Sequence, residues 1–138
     1  MTRQRQINRK VSSPEKAEPE AVWRMLGLAA RAGRVLIGVE GVAKAVRRHK
    51  AQLVILAADA AADTAQKAKR LCQQAGVPIR QFGTKNEIGH WTGHTARAIA
   101  AVLDDGFGRR LTTLIDQIIE PAGKDRQMNN DVNTTLGG

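Results

Sequence analysis

Two short, unbroken apolar runs constrain this chain most: Leu53-Val54-Ile55-Leu56-Ala57 and Ala98-Ile99-Ala100-Ala101-Val102-Leu103. Neither alternates with polar residues, so each reads as a central strand covered on both faces, and such a sheet needs helices on either side. The intervening segments supply them. From Pro19, with Glu18 and Glu20 near the first turn, Val22, Met25, Leu26 and Ala29 recur at helical spacing until Arg31-Ala32-Gly33, a basic last turn and a Gly stop. Arg34 to Ile37 forms a short strand ended by Gly38, and Val39, Val42, Ala43 and Val46 mark the next helical face. A third helix starts near Asp63, turns Ala65, Ala68, Leu71, Cys72 and Ala75 inward, and stops at Gly76. Val77 to Phe82 is a strand with Pro78 only at its start. Thr84-Lys85-Asn86-Glu87 fits a capping box opening a short helix that ends by Gly93. After the 98–103 strand, Asp104 or Asp105 can cap a last helix with Phe107, Leu111, Leu114, Ile115 and Ile118 on one face. The predicted fold is α/β, a single four-stranded sheet with helices on both faces.

The rest of the chain differs in composition. Of 31 Leu, Ile, Val and Phe residues, 27 lie between residues 20 and 119, enough for one modest core. Residues 1–19 read as a flexible basic arm and 120–138 as a polar flexible tail, since neither has enough apolar surface to offset its ordering entropy.

Charge points to the partner. The chain carries 22 Lys and Arg against 13 Asp and Glu, a net charge of +9, and 15 of the 22 cations lie within residues 20–119. Such a surplus draws a protein to polyanions. Only four aromatic residues accompany it, Trp23, Phe82, Trp91 and Phe107. Readers that stack several bases on exposed rings are therefore excluded, and a nucleic-acid partner has to be read by backbone, shape or base edges. One cysteine, Cys72, allows no internal disulfide and suits a reducing compartment. No run approaches the roughly 18 apolar residues of a membrane span, so the expected location is the cytoplasm and no membrane partner is expected.

Chemistry of other kinds has little support. No dinucleotide fingerprint or phosphate-binding P-loop occurs. Asp104, Gly106 and Gly108 read as a helix cap, because the carboxylates at that mouth repel a phosphate. His90 and His94 make half of a zinc site at best, and Cys72 on an apolar helix face reads as a small core residue. No catalytic residue, metal site or cofactor is expected.

The strongest constellation runs from Gly38 to Lys50. A glycine ends a strand, a helix follows at once, and Glu40, Lys44, Arg47 and Arg48 lie along one stripe. A bare backbone at a helix start can approach phosphates, and cations one and two turns on can follow a nucleic-acid backbone. Glu40 has two readings: an i,i+4 ion pair with Lys44, or an acceptor for the N1–H and N2–H₂ donors of guanine.

In order, Leu26-Gly27-Leu28-Ala29-Ala30-Arg31-Ala32-Gly33, Gly38 to Lys44, Leu53 to Asp59, Gly76-Val77-Pro78 and Glu87-Ile88-Gly89-His90-Trp91-Thr92-Gly93 resemble the kink-turn RNA-binding ribosomal protein superfamily. This is the superfamily of archaeal L-seven-Ae and eukaryotic L-thirty-e. The ending Val102-Leu103-Asp104-Asp105-Gly106-Phe107 resembles its small bacterial YlxQ-type branch. The resemblance implies an α-β-α sandwich that docks the start of its second helix, and the loop before its last strand, onto sharply bent RNA with tandem sheared G·A pairs. Gly38 matches the glycine before the recognition helix, and Lys44 and Arg48 match cations of its stripe. Glu87-Ile88-Gly89 and Gly93 match the Glu-Leu-Gly and Gly before the RNA-facing loop, here His94-Thr95-Ala96-Arg97. Archaeal members carry Asn-Glu where this chain has Glu40-Gly41, so the carboxylate is displaced by one position.

The expected RNA-binding set is thus Gly38, Val39, Glu40, Gly41, Lys44, Arg47, Arg48, Glu87, Ile88 and His94 to Arg97. The leading expectation is a non-catalytic, monomeric RNA-binding protein, ribosome- or translation-associated, that recognises a bent structured RNA. The alternatives are an RNA-recruiting module acting in trans for an RNA-modifying enzyme, and a scaffold whose basic face meets an acidic protein.

Overall fold

The computed structural model describes residues 18–119. The readings of residues 1–17 and 120–138 as arm and tail lie outside the described residues, whereas Pro19, the last residue assigned to the arm, already belongs to a helix. Among the described residues nine elements follow one another: α1 (Pro19–Arg31), β1 (Val35–Ile37), α2 (Val39–Arg47), β2 (Leu53–Leu56), α3 (Ala62–Ala75), β3 (Ile79–Gln81), α4 (Lys85–Trp91), β4 (Ile99–Val102) and α5 (Asp105–Ile119).

The strands form one mixed sheet in the order β1-β4-β2-β3. β4 lies antiparallel to both β1 and β2, while β3 runs parallel to β2. The two unbroken apolar runs are therefore the two central strands, and every residue of β2 and β4 is buried. Alternate side chains serve opposite faces. Leu53, Ile55, Ala100 and Val102 join a core with α1, α4 and α5, whereas Val54, Leu56, Ile99 and Ala101 join a second core with α2 and α3. The result is the three-layer α-β-α sandwich.

Local signals fix the ends of the elements. α1 has Pro19 in its first turn and closes with Gly33 at φ +75, whose amide donates to Ala30 O while Arg34 N donates to Ala29 O. In the capping box at α4, Glu87 N donates to Thr84 Oγ1 at 3.1 Å and Thr84 N to Glu87 Oε1 at 3.0 Å. Of the two candidate caps for α5, Asp104 does the work: Phe107 N donates to its Oδ2 at 2.9 Å, and Asp105 instead pairs with Arg109. The third strand is shorter than its apolar pattern, because Pro78, which has no N–H, stands outside the ladder and supplies only its carbonyl to Val54 N. Arg80 on this edge strand donates to both carboxylate oxygens of Asp116, at 2.6 and 3.1 Å, tying β3 to α5.

Candidate nucleic-acid interface

The end of β1, the end of β2 and the start of β4 meet at one edge of the sheet. Gly38 N donates to Ile99 O at 3.1 Å, and Ala57 N to Ala98 O at 2.8 Å. The start of α2 and the loop that precedes β4 are thereby neighbours, although some 60 residues separate them in sequence. The start of α4 joins them: Lys85 N donates to the Asp59 carboxylate at 2.8 Å, and Arg97 N to Lys85 O at 3.0 Å.

Gly38 makes the turn possible. Its φ of 91° and ψ of 153° lie in a region that is essentially closed to residues with a Cβ. Among the described residues no side chain caps α2, so its first-turn amides, which have no intrahelical acceptor, are open for an anion. Val39 and Glu40 are exposed there and Gly41 is half-buried.

The stripe runs on from this start. Lys44, Arg47 and Arg48 are all exposed, while Val42, Ala45 and Val46 on the opposite side of α2 are buried. Four ion pairs form among the described residues, Arg24–Glu20, Lys67–Asp63, Arg80–Asp116 and Arg109–Asp105. Glu40 and Lys44 are in none of them, so the spacing that permits their pair does not produce it here. Arg47 also lines a groove between α2 and α3, together with Val39, Val42, Ala43 and Leu71.

The second part of the site is the loop after α4. His94, Thr95 and Ala96 are exposed and Arg97 is half-buried. The loop turns back along its own helix, with His94 N donating to Gly89 O at 2.7 Å. Gly89 is required for this: a Cβ there would overlap the Thr95 carbonyl. The guanidinium of Arg97 donates to Thr95 Oγ1 at 2.6 Å and Ala96 O at 3.0 Å, which stiffens the loop tip. His94 Nδ1 lies 2.9 Å from the Thr92 carbonyl.

Two members of the expected set have other duties. Ile88 is fully buried and belongs to the core with Leu26 and Ile115, so its side chain anchors α4 and cannot touch a ligand. Its burial follows from being the one large aliphatic residue between Thr84 and Trp91. The Glu87 carboxylate is exposed but engaged in the capping box. Cys72 is buried, and desolvation pushes its thiol up to about 11, so it stays protonated and a poor nucleophile at neutral pH. His90 faces Trp91 edge-on, and among the described residues no group of three metal-ligating side chains assembles. No helix among the described residues is long and apolar enough to cross a membrane.

Comparison with known proteins places these features in context. The family described as "Ribosomal protein L7Ae/L30e/S12e/Gadd45 family" matches residues 20–111. A protein named "RNA-binding protein YlxQ" from Bacillus subtilis (strain 168) is 38% identical over 92 residues, which cover 67% of this chain and 92% of that protein. A protein of the same name from Enterococcus faecium is 32% identical over 97 residues, covering 70% of this chain and 93% of that one. Among solved structures, a protein of unknown function from Bacillus halodurans superposes with a TM-score of 0.68 at 38% identity, over 73% of this chain and 99% of that chain. A Giardia lamblia 15.5 kD RNA-binding protein shares the fold, with a TM-score of 0.63 at 24% identity, over 76% of this chain and 95% of that chain.

Proposed function

This chain belongs to the ribosomal protein L7Ae/L30e/S12e/Gadd45 family, in the branch of the YlxQ proteins, and from that premise we propose that it is a non-catalytic RNA-binding protein that docks a bent, kink-turn-like RNA on the edge described above. The observation that carries this reading is the join at Gly38, whose N–H donates a hydrogen bond to Ile99 O and so sets the start of α2 beside the loop 92–98. Two separate segments side by side at one edge suit two backbone segments of a folded RNA better than one straight strand. The amides of Val39, Glu40 and Gly41 and the cations Lys44, Arg47 and Arg48 take phosphates. The Glu40 carboxylate, in no ion pair among the described residues, accepts from guanine donors, and residues His94 to Arg97 contact the second segment. The family's ribosomal members and the YlxQ proteins' name support an RNA partner within translation, and a cytoplasmic monomer is sufficient for this role.

A titration against a kink-turn RNA, a straight RNA duplex of equal length and a DNA duplex tests the reading. Tighter binding to the kink-turn than to either duplex is expected. Equal affinity for all three reduces the interaction to non-specific charge and defeats shape recognition. Salt dependence locates the contacts, because log affinity falls with log salt by roughly 0.7 to 0.9 per neutralised phosphate. Lys44→Ala lowers that slope by about one, and an unchanged slope removes Lys44 from the contact set.

A further inference from the structure

We infer, on the RNA-binding reading above, that the notch where α1 and α4 end, built on Trp91 between Arg31 and His90, stacks an unpaired base from a single-stranded extension of the bound RNA. Ala30, Arg31, His90, Trp91, Thr92 and Gly93 line this concavity. The last turn of α4 lies close against α1 here: a Cβ on Gly27 would sit 3.4 Å from the Trp91 carbonyl and 3.7 Å from the indole Cε3, at ordinary van der Waals distance.

The chemistry of the notch is that of a nucleotide site. Trp91 is half-buried, and His90 stands edge-on to it with ring centroids 5.3 Å apart. Trp23 and Phe82 are 4% and 8% exposed, pack against each other in the core and cannot stack on a ligand. Phe107 and Trp91 are both partly buried against the same core, but of the two only Trp91 lines the notch. Trp91 is therefore the aromatic ring that borders the loop of the RNA site. Arg31 and His90 are exposed, and neither forms an ion pair among the described residues. An indole, an imidazole and a free guanidinium with no carboxylate in the lining fit a base and its phosphate, through stacking and charge.

Position decides which nucleotide. The loop folds back along α4, as the bonds His94 N to Gly89 O and Arg97 N to Lys85 O mark. Lys85 thus lies at the Gly38 edge and Trp91 at the far end of the helix. Six residue steps at about 1.5 Å each separate them by about 9 Å. That equals two or three stacked nucleotides at about 3.4 Å per step. A strand leaving the bent duplex at the edge reaches the notch with its second or third unpaired base.

The test uses the full chain and a kink-turn RNA that is blunt, or carries three unpaired uridines on the 5′ or the 3′ strand, or carries three abasic residues in their place. One uridine extension is expected to bind about tenfold more tightly than the blunt RNA and to quench tryptophan fluorescence. The abasic extension and Trp91→Ala should each abolish that advantage, with no further loss when combined. Trp91→Phe, which leaves only the buried Trp23 to fluoresce, should lose the quench and keep part of the advantage, which guards against misfolding of the alanine variant. Equal binding of blunt and extended RNAs, or a folded Trp91→Ala protein that keeps the advantage, overturns the inference while kink-turn preference leaves the proposed function standing. If kink-turn and straight duplex bind alike, both fall.

Discussion

The two helical layers of this protein are built from different materials. On one side of the sheet, α1, α4 and α5 contribute Leu26, Ile88, Leu111 and Ile115, all fully buried, beside the tilted Trp23–Phe82 pair. On the other, α2 and α3 contribute mainly Val42, Ala45, Val46, Ala68 and Cys72. The surface of α2 stands apart as well. Ion pairs neutralise Arg24 on α1, Arg109 on α5, Arg80 on β3 and Lys67 on α3, whereas Lys44, Arg47 and Arg48 on α2 form none among the described residues. Surface pairs contribute little to stability, so leaving α2 unpaired costs the fold almost nothing and leaves its field available to a polyanion. The larger buried side chains are concentrated in one layer and the open basic stripe in the other, while the second part of the site, the loop after α4, comes from the first layer.

The largest effect that separates the layers is expected in the thick one. Ile115→Ala should destabilise by about 2–5 kcal/mol, through lost burial and the cavity it leaves, without altering the salt slope of RNA binding under conditions where the variant remains folded. Arg48→Ala should do the reverse, changing the slope with less than about 0.5 kcal/mol of stability. Urea unfolding and salt titration of both variants measure this. A changed slope in the Ile115 variant, or a stability loss above about 1 kcal/mol in the Arg48 variant, would dissolve the division of labour.

A mid-sized effect belongs to the thin layer and to alkaline pH. The buried Cys72 thiol is pushed up to about 11 from its ordinary 9.0 by desolvation. Below pH 9 neither the folded nor the unfolded thiol is ionised, and the full stability is present. Between 9 and 11 the unfolded thiol ionises while the folded one does not, so stability is lost as pH rises. Cys72→Ala should flatten this part of the pH profile, while Ile115→Ala should leave its shape unchanged. A profile just as steep in the cysteine-free variant would assign the alkaline loss to other groups.

How far the layers could be read from the sequence depends on how local their causes are. The unbroken runs at 53–57 and 98–103 announce central strands because burial on both faces leaves no room for alternation. The capping box at Thr84 and the Gly stops at 33 and 76 are likewise written within a few residues. The strand order is not, since it is set by which long-range pairings bury most surface: nothing near Val35 says that β1 pairs with β4 rather than β2. The start of α2 was visible as a motif, but its meeting with the loop before β4 rests on the Gly38 to Ile99 bond across the sheet. The spacing of Glu40 and Lys44 suggested a pair that the side chains do not form. The notch at Trp91 brings together the ends of α1 and α4, some 60 positions apart, and a single sequence carries no local trace of it.

The smallest expected effect concerns the end of the binding helix, where comparison with two other helices isolates a single residue. α1, α2 and α3 close with the same pair of backbone bonds: Gly33 N to Ala30 O with Arg34 N to Ala29 O, His49 N to Val46 O with Lys50 N to Ala45 O, and Gly76 N to Gln73 O with Val77 N to Cys72 O. The left-handed position is glycine in α1 and α3 but His49 in α2, at φ 58. A side chain there costs about 1–2 kcal/mol in the folded state, partly offset because glycine gives the unfolded chain more freedom. His49→Gly should therefore stabilise the protein by about 0.5–1 kcal/mol, read as a higher urea midpoint with an unchanged slope. His49 lies between Arg47-Arg48 and Lys50, within the exposed basic segment. If its strain is retained for binding, the stabilised variant should bind kink-turn RNA more weakly than the native chain. A variant that is both more stable and equally tight would show that the imidazole serves neither layer.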